Sequence, residues 1–479
     1  MRPAGQNAID FAKKNGFLSS VGSGYYLYLL SVFQHHQSRS MNRRLFLNSG
    51  ITFGASAFVP LPGSAAFHHD VKPGEQINLS SASWADIRKQ FLLVPDRIHM
   101  TMMLLASHPK PVREAIKRHR KGIDADPVTY AETQYAKFER AVRDAAAAYI
   151  GSDHSEIALT DSTTMGLSIL CHGFRFKEGD EILTTTHDHY STEKSLEFAA
   201  AKSGATVRSV ALYDDPAAAQ ASEMVHRLKT VISERTRLVA ITHVHSCTGV
   251  KTPVKQIAGM IRDVNQSRNA AKRVYLSVDG VHGFGIENTS MDDLGCDFFA
   301  AGTHKWMFGP RGTGILFAKK DSWDMVAPVI PAFEDAPYLQ WMGIFPPGDL
   351  TFAELCTPGG FHSFEHRWAL DEAFIFMSRI GKERIQQRTH ELSTKLKEGL
   401  SRIRHVRLIT PMSPLLSSGI NCFEVDGMRP DEVVKKLHAK HIIASASPYK
   451  TSYVRLTPCM INTEEEVEIC IRTVETIRE

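Results

Sequence analysis

Seven apolar runs of five to eight residues, rich in β-branched side chains, set the fold class of this chain before any other feature does. They read EIALT (156–160), EILTTT (181–186), TVRSVAL (206–212), RLVAITHV (237–244), RVYLSVDG (273–280), DFFAAGT (297–303) and GTGILFA (312–318). Segments of helical spacing, such as DDPAAAQASEMVHRLKTVI and VKQIAGMIRDV, separate most of them. A strand apolar on both faces must be covered on both, and intervening helices supply that cover. The pattern predicts a large α/β domain, roughly 90–365, around a seven-stranded, mainly parallel sheet. The last two runs lie too close together for a crossover helix and predict an antiparallel pair.

From Glu372 onward the rhythm changes. A long helix is expected over about Glu372–Arg404, then strands near VRLIT, GINCFEV, IIASA and SYVRL, with helices at RPDEVVKKLHAK and TEEEVEICIRTVETI. This predicts a smaller α+β C-terminal domain, 366–479, packed on the first.

Charge and cysteine usage narrow the function classes. Residues 1–66 hold six Lys/Arg against one acid, and removing them from the 56 basic and 52 acidic side chains leaves 50 and 51. A near-neutral body without a basic stripe carries no footprint for nucleic acid. The seven cysteines (Cys171, Cys247, Cys296, Cys356, Cys422, Cys459, Cys470) are scattered, with no CxxC pair. They read as small buried hydrophobes with at most a stray disulfide.

The front end says more about location. Arg43-Arg44 precede Leu45-Phe46-Leu47, a modestly apolar stretch rich in Gly, Ala and Ser follows, and Ser64-Ala65-Ala66 suits a signal peptidase. That layout, 41–66, predicts a twin-arginine signal and a periplasmic protein delivered by the twin-arginine export machinery. Two basic residues capping an amphipathic helix are the bland alternative. Residues 1–40 fit neither signal nor domain and read as an upstream extension, with Met41 as an alternative start, while 67–89 read as linker and N-terminal segment. The run GYYLYLLSVF is too short to span a bilayer, which takes ~20 apolar residues.

The chemistry gathers at strand tips. In SVDGVHGFG, Asp279 ends one apolar run, and in AGTHKWMFGPRGTG, Lys305 follows the next. Ligands of a parallel sheet sit beyond the carboxyl ends of its strands, so both side chains are expected on one rim. An acid there can keep a pyridinium nitrogen protonated. A lysine there, its pKa lowered by desolvation, can form a Schiff base and shuttle a proton at a substrate α-carbon. Either residue alone is more often an ordinary strand-end acid or surface lysine.

Together, D-x-x-H followed by H-K-W-x-x-G-P-x-G-T-G resembles the class V aminotransferase family of pyridoxal 5'-phosphate (PLP) enzymes, over about residues 90–479. The resemblance implies a PLP-dependent aminotransferase-like fold, PLP as cofactor, a small-molecule amino-acid substrate and a homodimer. It implies catalytic roles for Lys305, Asp279 and His189, with His189 of HDHY stacked on the cofactor ring and His282 at the ring oxygen. TDSTTMGL opens a helix, so backbone N–H groups at Thr163 and Thr164 can hold the phosphate, helped by the Thr164 hydroxyl; a plain helix cap has the same geometry. His304 and Thr303 match further phosphate contacts, and Ser246 falls near a polar position facing cofactor or substrate. Arg455 in VRLTPCMINTEEEV matches the arginine that grips the substrate carboxylate, and His362 or Ser363 in TPGGFHSFEHRW matches a segment reaching the neighbouring subunit's phosphate.

Two departures restrict the chemistry. Persulfide-forming members carry a cysteine in the loop before that arginine, but here the loop reads SASPYKTSYVR. The first strand, in RIHMTMMLLASHPKPV, also lacks the small residues common in relatives, so no relative's substrate transfers. SHPKPVREAIKRHR, EILTTTHDHYSTEKSLEF, VDGVHGFG, AGTHKWMFGPRGTG and TPGGFHSFEHRWAL resemble the exported branch related to isopenicillin N epimerase, including members that tailor the glutamate of pyoverdine-type siderophores. That implies a free α-amino group on a larger secreted metabolite, such as a siderophore precursor. C–S lysis, epimerisation or transamination of a small amino acid is the alternative on the same scaffold. A metal-binding protein using the His187/His189 and His243/His245 pairs is the alternative of another class, because i, i+2 histidines share one side of a strand.

Overall fold

Runs of Val, Ile, Leu and Phe with no polar alternation cannot leave either face of a strand in water, and they come out as the central strands of one sheet. A computed structural model describes residues 78–343 and 351–478; the expected twin-arginine signal and the upstream extension lie outside them. The strands are β1 (Ile98–His99), β2 (Ile157–Thr160), β3 (Glu181–Thr185), β4 (Thr206–Val210), β5 (Thr236–Thr242), β6 (Tyr275–Asp279), β7 (Phe298–Gly302) and β8 (Gly314–Ala318). Seven of them form one sheet in the order β2-β8-β7-β6-β5-β3-β4. β3 to β7 pair in parallel and β8 runs antiparallel to both its neighbours, so the expected sheet and hairpin are both present. β4, at the edge, alone among the seven shows an exposed pattern.

The connecting helices are α1 (Lys110–Ala125), α2 (Pro127–Ile150), α3 (Thr163–Gly173), α4 (Tyr190–Ser203), α5 (Ala221–Val231) and α6 (Val254–Gln266). One apolar cluster covers one face of the sheet, with Leu183, Val239, Ile241, Val278 and Phe299 from the strands. A second covers the other face, with Leu167 and Leu170 of α3 and Leu196 of α4 against Ile182, Leu238 and Phe298.

The single helix expected over Glu372–Arg404 is two, α7 (Leu370–Ile380) and α8 (Lys382–Ser401). Gly381 separates them at φ +99°, a conformation that a residue with a Cβ adopts only under strain. The break also divides the packing. Phe374 and Met377 of α7 join the large core, although the expected boundary at 365/366 places them beyond it, while Leu392 and Leu396 of α8 join the smaller one. The smaller layer is an antiparallel sheet, β12-β13-β10-β9, built from β9 (Val406–Leu408), β10 (Asn421–Val425), β12 (Ser445–Ala446) and β13 (Val454–Leu456). Helices α9 (Pro430–Ala439) and α10 (Glu464–Thr476) pack on it. β1 pairs in parallel with β11 (Ile442–Ile443), so the first strand among the described residues lies with the C-terminal elements rather than in the main sheet.

Candidate active site

Asp279 is the last residue of β6, and the neighbouring β7 ends three residues before Lys305. The two strands are in parallel register, so both side chains leave the sheet on one rim, where a cleft of about 150 Å³ opens. Met103, Ser162, Thr163, Thr164, His189, Ser246, Asp279, His282, His304, Lys305 and Arg455 all contribute to its lining. Of the residues expected at the site, Thr303, His362 and Ser363 are not part of that lining.

The turn that carries Lys305 is held from both sides. Trp306 and Phe308 are each about 1 % exposed, and Phe308 takes φ +52°, an unfavourable value for a residue with a Cβ. Phe308 N–H donates to Lys305 O at 3.0 Å and Gly309 N–H to Thr303 O at 2.8 Å. These anchors fix the backbone of Lys305 while its Nζ makes no hydrogen bond among the described residues. Burial lowers the pKa of this amine, the Arg455 charge adds to the effect, and Asp279 opposes it. Asp279 is 3 % exposed and takes Val281 N–H at 3.1 Å on Oδ1 and Thr192 Oγ1 at 3.4 Å on Oδ2. Burial pushes its pKa up to about 6, with the nearby Asp188 carboxylate acting in the same direction.

At one end of the cleft stands the N-terminus of α3. Ser162 caps it, its Oγ accepting from Met165 N–H at 3.1 Å. The N–H groups of Thr163 and Thr164 lie in the first turn, where no intrahelical partner exists. Thr163 Oγ1 is already engaged, accepting from Gly302 N–H at 2.7 Å. His304 faces the same end with a buried Nδ1 that has no partner. Thr303 departs from expectation: its hydroxyl turns away to Thr313, 3.1 Å from the carbonyl and 2.5 Å from Oγ1, and it is fully buried under the β7–β8 hairpin. The hairpin's need to satisfy a buried hydroxyl decides this.

At the opposite end lies Arg455. It is 2 % exposed, yet its three hydrogen bonds go to neutral acceptors: Ser445 Oγ (3.2 Å), Ser246 O (3.0 Å) and Ala446 O (3.0 Å). A buried guanidinium without an anion is costly unless a ligand supplies one. Between the two ends, His189 caps α4 and accepts Ser191 N–H on Nδ1 at 3.2 Å, which places its proton on Nε2. Trp306 Nε1 donates to His282 Nδ1 at 3.2 Å and fixes the same tautomer there. Burial lowers the pKa of both imidazoles, so both are neutral at pH 7.

Ser363 is exposed and precedes a short helix at Phe364–Arg367, and His362 contacts Asp161 at 3.5 Å. His187 and His245, one from each histidine pair, lie 5.3 Å apart ring to ring, but both are engaged with Tyr213: His187 stacks on it at 3.8 Å and His245 bonds its hydroxyl at 2.9 Å. No group of three or more metal-ligating side chains occurs among the described residues. All seven cysteines are free and buried, and burial raises the pKa of every thiol. The sequence reading passed over Asp188, which takes Thr184 Oγ1, Thr185 N–H and Thr242 Oγ1 at 2.6–2.7 Å. It also passed over Tyr449, whose hydroxyl is 2.7 Å from Ser246 Oγ. Asp188 stands inside HDHY and was legible there as a strand-end acid; Tyr449 is 203 residues from its partner and carried no local signal.

The parts fit PLP. A free helix terminus and an unpartnered imidazole nitrogen suit a phosphate, a buried acid suits the ring nitrogen, and an amine without a hydrogen bond suits the aldehyde. Fold and cleft thus define an α/β enzyme whose site lies at the carboxyl ends of its central strands. The aminotransferase class-V family profile matches residues 106–469, and the chain belongs to that family of PLP-dependent enzymes. It is 28 % identical to a probable cysteine desulfurase of Halalkalibacterium halodurans, over 68 % of this chain and 79 % of that one. It is 24 % identical to the isopenicillin N epimerase of Streptomyces clavuligerus, over 81 % and 97 %. The fold matches the cystine C–S lyase C-DES, solved with its product cysteine persulfide, at a TM-score of 0.71 and 23 % identity, over 80 % of this chain and 98 % of that one.

Proposed function

We propose that this enzyme breaks a bond at the α-carbon of an amino-acid group whose carboxylate enters beside Arg455. The observation that carries this reading is the buried, anion-free guanidinium of Arg455 in the same cleft as Lys305 and Asp279. Thr163 and Thr164, through their backbone, and His304 would hold the cofactor phosphate; His189 would lie against the ring, His282 would meet its oxygen and Asp279 its nitrogen. When bound, PLP supplies an electron sink for a bond at the substrate α-carbon. Lys305, with its lowered pKa, takes and returns a proton at that carbon. Asp279 would hold a proton at the ring nitrogen, and Met103 and Leu104 also line the cleft. Ser363, exposed on this chain, would reach the cofactor phosphate of the second subunit in a homodimer.

The twin-arginine layout at 41–66 supports export to the periplasm, and the segments SHPKPVREAIKRHR and TPGGFHSFEHRWAL support tailoring of the glutamate of a pyoverdine-type siderophore. The relatives favour a second reading, C–S lysis on a small amino acid. A persulfide relay through this chain's own cysteines is opposed by the buried thiols. The decisive experiment reduces the PLP-loaded protein with borohydride and maps the labelled peptide, then follows glutamate-bearing ferribactin and cystine by mass spectrometry. Label on Lys305 and a mass change in ferribactin are expected. Label elsewhere would refute the site, and turnover of cystine alone would select the second reading.

A further inference from the structure

Arg455 uses three of its five N–H groups on neutral acceptors, which leaves one on each terminal nitrogen. Ser246, which lines the cleft, is bound twice. Its carbonyl accepts from Arg455 Nη1 at 3.0 Å, and its hydroxyl lies 2.7 Å from Tyr449 Oη. A phenol is the stronger donor of the two hydroxyls. With Tyr449 as the donor, Ser246 Oγ accepts and the Ser246 proton is left to point elsewhere.

Tyr449 is itself held in place. Its ring meets His189 edge-on at 6.0 Å, and its loop closes on Ser447 through Ser447 N–H to Tyr453 O (2.9 Å), Tyr453 N–H to Ser447 Oγ (2.9 Å) and Ser452 Oγ to Ser447 O (2.7 Å). Cys247 Sγ ties the same loop at Thr451 O, 3.5 Å away. Burial raises the pKa of the phenol, so it keeps its proton across the working pH range.

We propose that Tyr449 is a positioning residue that makes the Ser246 hydroxyl a second donor to the substrate α-carboxylate, beside Arg455. This rests on the reading of Arg455 as the carboxylate site. A carboxylate then receives the two remaining guanidinium N–H groups and a neutral hydroxyl, all from groups already fixed in place. Such a clamp discriminates amino acids from amines more sharply than the guanidinium alone.

The test titrates PLP-loaded protein with glycine and with methylamine, which differ by the carboxylate, and follows the visible cofactor band. Tyr449→Phe and Ser246→Ala should each weaken glycine by about tenfold, as loss of a hydrogen bond to a charged group does, and leave methylamine unchanged. The double variant should be no worse than Ser246→Ala, because one residue acts through the other. Equal weakening of both ligands, additive penalties, or no change would overturn the proposal. Arg455→Gln in the same titration separates the two readings. If it leaves glycine and methylamine equally affected, the carboxylate site itself falls; if it discriminates while Tyr449→Phe does not, only the role of Tyr449 falls.

Discussion

Thr163 Oγ1 accepts a hydrogen bond from Gly302 N–H at 2.7 Å, joining the first turn of α3 to the end of β7. The α3 end of the cleft is thereby fixed to the strand that precedes Lys305, although 139 residues separate the bonded pair. Thr163→Val keeps the shape and leaves a buried N–H unpaired, at a cost of about 1–3 kcal/mol. We expect a modest fall in melting temperature and weaker retention of PLP, measured by dialysis and fluorescence, with the Lys305 label site unchanged.

Asp279 should make the apoprotein more stable when it is removed. Its pKa in the folded chain is about 6, above the ordinary 3.8, so the folded state binds more protons between these values and stability falls as pH rises through that window. The full loss is about 3 kcal/mol above pH 6. Asp279→Asn should therefore raise the apoprotein melting temperature at pH 7, lose that advantage near pH 4, and bind PLP poorly at both. Equal melting curves at pH 7 would contradict this.

Glu287 has the opposite sign. It is buried with Lys251 Nζ at 2.7 Å, His390 Nε2 at 2.9 Å and Ser418 Oγ at 2.6 Å. Burial acts to raise its pKa, but His390 and Lys251 outweigh that and hold it at about 2. Its contribution is complete above pH 4.5 and is lost as pH falls toward 2. Because the carboxylate links the segment after β6 to α8, Glu287→Gln should destabilise the protein by about 3–5 kcal/mol at pH 7, read by denaturant titration, with the difference narrowing in acid.

The thiols offer a direct check on chemistry. Burial pushes Cys171, Cys296, Cys356, Cys422 and Cys459 up to about 12, so no thiolate is present near pH 7. Native protein should react with Ellman's reagent at far below one equivalent per chain within minutes, and all seven cysteines should react after denaturation. A fast-reacting cysteine whose alkylation stops turnover would restore the persulfide reading.

The seven strands were legible because a strand covered on both faces is written as an unbroken apolar run, and Asp279 and Lys305 stood out only together, as parts of D-x-x-H and H-K-W-x-x-G-P-x-G-T-G, since either alone is an ordinary strand-end residue. The helix break at Gly381 was not, since the flanking residues carry helical spacing on both sides and only φ +99° ends it. Nor was the inward turn of Thr303, because the hydroxyl's partner, Thr313, is chosen by hairpin register.

Local order thus came from the chain's own alternation of apolar runs and amphipathic segments, which dictates a parallel sheet and puts an acid and an amine at adjacent strand ends. What only the folded molecule decided is the set of contacts between distant segments: Thr163 with Gly302, Tyr449 with Ser246, and Arg455 with neutral acceptors alone. Periodicity reports which face of an element is buried, whereas hydrogen-bond partners across hundreds of residues depend on how the faces pack, and no local pattern encodes that.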